Sequence, residues 1–337
     1  MKLLRTVLLL SILTVEACGQ TGAGNQLPSA PQGSSQAPDK SSPLRGAPRK
    51  PAEPQDTSPT FRVNVKLVNV FVTVTDQKGA PVPDLGKQDF QLFENGAPQT
   101  VSIFDRESEL PLSIVVEIDA SLSTKKDLKL ELQSARAFAH SILRPVDALS
   151  LYQFSEVVDE LVPFTSNLVR IDRGIDSVHT GAATALYDAL YLGSHALQRR
   201  QGRKVMVVIT DGGDTVSSTD YQAAVRAAQE AEAIVYSIIV VPIEASAGRD
   251  LGGEHALIQL SEDTGGKYFY ASSLTQLQEA FRKISDALRT QYLLAYYPSE
   301  RLAETDYRRI KVEVKPAGQA EPLQARYRTG YYTSKSE

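Results

Sequence analysis

Leu112-Ser113-Ile114-Val115-Val116-Glu117-Ile118 is a nearly unbroken apolar run, and it restricts the possible folds more than any other segment. A strand with one wet face alternates apolar and polar residues, whereas such a run belongs to a central parallel strand covered on both faces. The residues that follow supply the cover. Leu128, Leu132, Ala135, Ala139 and Ile142 recur at helical spacing. Ala148–Phe154 reads as a second strand, and Val157–Phe164 as its edge hairpin partner. Helices are predicted over Thr184–Gln198, Tyr221–Ala233, Gly253–Thr264 and Leu274–Leu288, with strands at Val205–Thr210, Ile234–Val241 and Lys267–Tyr270. This alternation predicts an α/β unit over residues 108–290, an open, mostly parallel, doubly wound sheet with helices on both faces.

The flanks follow a different period. Val68, Val70, Val72 and Val74 alternate with other residues, after a phase slip from the Phe61, Val63, Val65, Leu67 series. A bulge or a crossing between sheets is expected near Leu67–Val68, because a one-residue slip exchanges the two faces. Phe90–Phe93 and Gln99–Phe104 read as strands joined through a Glu94-Asn95-Gly96 turn. Alone, this all-β segment, residues 61–107, is too small to be stable. Tyr292–Tyr297, Tyr307–Val314 and Leu323–Tyr332 return to β periodicity within residues 291–337. The two segments are expected to form one small β-sandwich with the α/β unit inserted in it; a separate C-terminal appendage is the simpler alternative.

Residues 1–17, MKLLRTVLLLSILTVEA, combine a basic start with a short apolar run. That run falls well short of the roughly 20 residues a membrane helix needs, so it reads as a cleaved export signal. Cys18, the only cysteine, follows Ala17 directly and resembles the acylated residue of a bacterial lipobox; ordinary cleavage after Val-Glu-Ala is the alternative. Residues 18–60 hold eight prolines among Gly, Ser, Ala and Gln, a composition that cannot offset the entropy of ordering. As a tether it would reach on the order of 100 Å in a polyproline form, or about 35 Å as a coil. The expected location is the cell envelope, lipid-anchored to a membrane, otherwise periplasmic or secreted.

The chemistry gathers where the strands end. Asp119-Ala120-Ser121-Leu122-Ser123 follows the first strand of the α/β unit, Asp211-Gly212-Gly213-Asp214 the third, and Gly181-Ala182-Ala183-Thr184 opens a helix between them. Ligands of open α/β sheets bind beyond the carboxyl ends of the strands. Carboxylates and hydroxyls without His or Cys suit a hard cation, Mg²⁺ first, with Ca²⁺ or Mn²⁺ as alternatives. A helix starting near Ser123 would add its positive end. Alone, Asp-x-Ser-x-Ser also serves as a helix cap through Ser123 or Thr124. Together with Thr184 and Thr210-Asp211-Gly212, it resembles the metal-ion-dependent adhesion site of von Willebrand factor type A domains. The resemblance spans about residues 108–290 and implies their Rossmann-like sheet. It also implies a cation held by Asp119, Ser121, Ser123, Thr184 and Asp211, the last directly or through water. Leu122 departs from the family, where a glycine is common between the serines. The flanks, with Gly79–Leu85, Asp89-Phe90 and Tyr292–Tyr296, resemble a bacterial exported subgroup.

Several function classes drop out. A net charge of -4 lacks the basic footprint of a nucleic-acid binder. There is no GxxxxGK[ST], and no GxGxxG after a strand. His140 reads as packed or surface, and His179, near the Thr184 loop, lacks a paired nucleophile. Asp214 reads as a turn residue, Glu117 as a buried carboxyl in need of a partner. The expected function is non-enzymatic: an envelope-tethered binding or adhesion module whose cation grips an acidic side chain of a protein or peptide. An assembly or maturation factor is the second reading. A hydrolase with a metal-activated water is the third, with His179 the sole candidate base.

Overall fold

The computed structural model describes residues 67–106, 109–122, 124, 128–241, 251–299, 307–316 and 322–333. The export signal, Cys18, the Pro-rich stretch, the Phe61–Val65 strand and Ser123 lie outside the described residues. The N-terminal β segment forms β1 (Val68–Thr75), β2 (Phe90–Glu94), β3 (Ala97–Gln99) and β4 (Val101–Arg106). Next come β5 (Leu112–Asp119), α1 (Leu128–Ile142), β6 (Ala148–Phe154), β7 (Val158–Thr165), α2 (Leu168–Asp176) and α3 (Leu186–Gln198). β8 (Arg203–Thr210), α4 (Tyr221–Glu230), β9 (Ile234–Val240), α5 (Leu251–Asp263), β10 (Lys267–Ala271) and α6 (Leu274–Arg289) complete the α/β unit. The chain closes with β11 (Tyr292–Tyr296), β12 (Tyr307–Val314), β13 (Gln324–Arg326) and β14 (Gly330–Tyr332).

The central sheet runs β10-β9-β8-β5-β6-β7, parallel throughout except for the antiparallel edge strand β7. All eight residues of β5 are buried, as the apolar run requires of a middle strand. Its side chains divide by parity. Leu112, Ile114, Val116 and Ile118 pack with α1, α2 and α6, where Phe138 stacks on Phe281 at 4.8 Å. Val115 points to the other face, against Leu186, Ala189, Leu190, Ala224, Ala228, Leu257 and Leu260 of α3, α4 and α5. Each such fully buried aliphatic side chain contributes roughly 1.5–3 kcal/mol, so the two-sided core stabilises this unit most. The fold is the open, doubly wound α/β sheet expected from the sequence, with antiparallel sheets added.

Two four-stranded antiparallel sheets, β13-β1-β11-β4 and β14-β12-β2-β3, combine strands from both flanks of the α/β unit. β4 and β11 are neighbours, Arg106 opposite Tyr292, so the inserted unit leaves from one strand and returns in the next. Val68, Val70, Val72 and Val74, with Leu294 beside them on β11, share one core with Phe90, Leu92, Ile310 and Val312 of the other sheet. The Tyr292 hydroxyl donates to the Val82 carbonyl at 2.6 Å and accepts from Leu85 N–H at 3.0 Å, fastening that segment to β11. Glu94 lies inside this core and accepts from Tyr296, Tyr331 and Arg308. The single strand expected over Leu323–Tyr332 is instead two, β13 and β14, one in each sheet. Between them Thr329 N–H donates to the Asp263 carbonyl at 2.9 Å, and the Arg328 guanidinium to the Asn69 carbonyl at 2.6 Å.

Candidate functional site

β5 and β8 are neighbours with Ile118 opposite Ile209, so Asp119 and Thr210 end their strands side by side. Asp119 is wholly buried. Its Oδ1 accepts from Ser121 N–H at 2.9 Å and its Oδ2 from the Thr210 hydroxyl at 2.6 Å. Burial pushes its carboxyl up to about 6, and the neighbouring Asp211 carboxylate adds to the rise, while the bonds from Thr210 and Ser121 oppose it. Gly212 follows at a φ of 99°, where a Cβ would lie 3.3 Å from the Glu254 backbone nitrogen. The turn after β8 therefore passes against α5 in a conformation that glycine alone adopts without strain.

Backbone bonds tie three loops to this point. Ala120 N–H donates to the Phe154 carbonyl and Gly181 N–H to the Ala120 carbonyl, each at 2.8 Å. Ala185 N–H reaches the Ser155 carbonyl at 2.6 Å, and Ala182 N–H the Glu156 carboxylate at 2.7 Å. A Cβ on Gly181 would press on the Ser155 and Glu156 side chains, which would have to move to admit it. Thr184 is buried; its N–H donates to the Thr215 hydroxyl at 2.9 Å, and Thr215 N–H returns to its carbonyl at 2.8 Å. Asp119, Ser121, Thr184 and Asp211 thus share one rim; Ser123 falls outside the described residues. Helix α1 is described from Leu128, whose N–H donates to the Thr124 carbonyl; Ser123 and residues 125–127, where its expected start falls, lie outside the described residues.

Thr124, read from the sequence only as a candidate helix cap, Thr210, read only as part of the Thr210-Asp211-Gly212 turn, and Glu156 and Thr215, given no role, organise the rim. The Thr124 hydroxyl donates to the carbonyls of Asp119 and Ser121, both at 3.0 Å. The signal for Thr210 was its place between the buried strand and Asp211. Asp214 accepts from Tyr187 N–H at 3.2 Å and from the Ser217 hydroxyl at 2.5 Å, holding the first turn of α3. Glu117 is buried against Gly193 without a hydrogen-bond partner among the described residues, and desolvation pushes its carboxyl up to about 8. His140 sits on the surface 3.0 Å from Asp172. His179 is exposed and engages Gln153, whose Oε1 accepts its N–H at 3.1 Å.

No group of three or more His, Cys, Asp or Glu side chains converges among the described residues. A cation here would rest on two carboxylates plus hydroxyls. The donor chemistry fits: Asp119 is shut away from water, accepts from neutral donors alone among the described residues, and lies near a second carboxylate. A hard divalent ion satisfies such a pair, and oxygen-only ligands suit it.

An open α/β sheet with its polar rim at the strand carboxyl ends defines the class of domain. The family model of the von Willebrand factor type A domain matches residues 113–283, half of the chain, and the chain belongs to that family. Domains of this family are generally interaction modules that bind proteins. Similar solved structures include the conserved hypothetical protein BatB from Bacteroides thetaiotaomicron, at 19% identity and a TM-score of 0.43, over 53% of this chain and 100% of that one. A von Willebrand factor type A protein from Catenulispora acidiphila is 12% identical over 74% of each chain, with a TM-score of 0.47. The vWF domain of the type V pili tip protein Mfa5 from Porphyromonas gingivalis is 12% identical, with a TM-score of 0.43, over 53% of this chain and 95% of that one. No curated protein matches. No helix among the described residues is long and apolar enough to cross a membrane.

Proposed function

We propose that the rim holds a divalent cation, Mg²⁺ before Ca²⁺ or Mn²⁺, and that the cation grips a carboxylate of a protein partner. Asp119, Ser121, Ser123, Thr184 and Asp211 are its ligands. The observation that carries this reading is Asp119: a fully buried carboxylate beside Asp211, hydrogen-bonded among the described residues by hydroxyl and amide alone. Two carboxylates no more than balance the charge of a divalent ion and leave coordination positions unfilled, so an acidic side chain can take one of them. The bound ion's role is Lewis-acid attraction for that side chain; Thr210 and Ser121 orient Asp119 toward it.

The surroundings favour a protein as the partner. Leu122, Val157 and Val216, from three loops of the rim, are 58%, 58% and 47% exposed. Apolar side chains around a polar centre are how protein-binding patches combine area with specificity. In the envelope this module would be held by Cys18 and its tether, and it performs no catalysis. Calorimetry with MgCl₂ is expected to give one site in the wild type and none in Asp119→Ala/Asp211→Ala. Unchanged binding in that variant would overturn the reading.

A further inference from the structure

A second polar site lies at the opposite ends of the sheet strands, where the amino ends of β9 and β10 meet the β1–β13 pair. Thr73, Thr75, Lys78, Tyr236, Lys267 and Arg326 line a cavity of about 350 Å³ there. The registers explain the convergence: Lys267 lies opposite Tyr236 in one sheet, and Arg326 opposite Thr73 in the other. Lys283 and Arg282 of α6 complete its wall, with Asp286 as the one acidic residue.

The charges here are unbalanced. Arg282 is engaged by Glu279 and Asp286, at 2.7 and 2.6 Å, and Lys283 lies 3.5 Å from Glu279. Lys78, Lys267 and Arg326 have no carboxylate partner among the described residues, although Lys267 and Arg326 are half-buried. Burial, then Arg326 and Lys283, draw the Lys267 ammonium below its ordinary range, and burial lowers the Arg326 guanidinium. The Thr75 hydroxyl is buried and without a hydrogen-bond partner among the described residues. Half-buried cations and an unmet hydroxyl are both costly unless an anion completes them.

We propose that this cavity binds a small phosphate-bearing anion. A tetrahedral oxyanion with two charges and several acceptor oxygens answers Lys267, Arg326 and Lys78 together with the hydroxyls of Thr75, Thr73 and Tyr236. The cavity falls in the range of small-molecule sites, roughly 300–1,000 Å³, and exceeds one inorganic ion. Phe269, Ala80 and Pro81 offer an apolar wall for the organic remainder. The ligand is a soluble phosphate monoester or a phosphomonoester lipid headgroup.

The test uses the full chain in chelator at constant ionic strength, so the rim cation plays no part. Calorimetry would follow inorganic phosphate, glycerol 3-phosphate and citrate; sedimentation would follow phosphatidylcholine vesicles with and without phosphatidic acid. Phosphate or its monoester should bind more tightly than citrate, and binding should fall roughly tenfold or more in each of Lys267→Gln and Arg326→Gln. Thr75→Val, which keeps every charge, should lower it severalfold. The melting temperature of the ligand-free Lys267→Gln variant should equal or exceed that of the wild type, since it loses a half-buried charge that has the Phe269 ring at 5.5 Å but no carboxylate partner among the described residues. Binding of the free ester identifies a soluble ligand, and binding confined to phosphatidic acid vesicles identifies the headgroup. No binding of either, equal binding by the Lys267→Gln/Arg326→Gln double variant, or citrate matching phosphate would overturn the proposal.

Discussion

The sandwich and the α/β sheet both bury carboxylates, and they treat them in opposite ways. In the sandwich, Glu94 is met by the Arg308 guanidinium and by two tyrosine hydroxyls, so charge and lone pairs are answered from within. In the sheet, among the described residues, Asp119 has only neutral donors, and Glu117 has none. Desolvation raises both carboxyls of the sheet, whereas burial raises the Tyr296 and Tyr331 phenols around Glu94 and so keeps them as donors. A carboxylate completed by its own chain is a structural element. One completed only in part, at the end of a central strand, is available to something from outside.

The largest effect should come from unbalancing the sandwich. Arg308→Ala leaves Glu94 buried without its cation, and urea unfolding should show a loss of about 3–5 kcal/mol. Glu94→Leu/Arg308→Met should recover most of it, because removing both charges removes the desolvation penalty. If Arg308→Ala were neutral, the contrast with Asp119 would collapse.

Glu117 sharpens the comparison through pH. Its carboxyl is raised from 4.5 to about 8 in the folded chain. A raised carboxyl contributes fully below pH 4.5, and the contribution is lost as pH climbs through about 8. Between pH 4.5 and 7 that loss is on the order of 3 kcal/mol. The stability of Glu117→Met relative to wild type, measured by denaturant in chelator, should therefore grow with pH over this window. A flat difference would mean that the carboxyl has a partner in solution.

The smallest of the three effects concerns the rim itself. Thr210→Val removes the 2.6 Å bond to Asp119 and should cost about 1–2 kcal/mol of stability. On the proposed reading it should also weaken Mg²⁺ binding by calorimetry without abolishing it, since Thr210 would orient Asp119 rather than touch the ion. Complete loss would make Thr210 itself part of the coordination.

Much of the architecture was legible because two-sided burial leaves a plain signature. The β5 run, the helical spacing of Leu128 to Ile142 and the valines of β1 each appear where their periods place them. The helix α2 was not foreseen. It has an Asn167 cap and buries Ile171 and Ile175, but it is nine residues long with Gly174 inside, which blurs its period. The break between β13 and β14 was hidden too, because Leu323–Tyr332 alternates smoothly while Arg328 and Thr329 are captured by Asn69 and Asp263. At the rim, Asp119, Ser121, Thr184 and Asp211 could be named from their places at strand and helix ends. Glu156 and Thr215 could not, since their contacts join loops about 26 and 31 residues apart.

What the amino-acid order determined unaided is local and periodic: which segments are strands or helices, which faces are apolar, and which oxygen-bearing side chains end the strands. Only the folded chain decided which distant groups meet. Packing brought Arg308 to Glu94 and none to Glu117, and it set Lys267 and Arg326 around one cavity. The reason is physical: hydrophobic periodicity is written in neighbouring residues, but the pairing of buried charge depends on directions and distances that exist only after the sheets have closed.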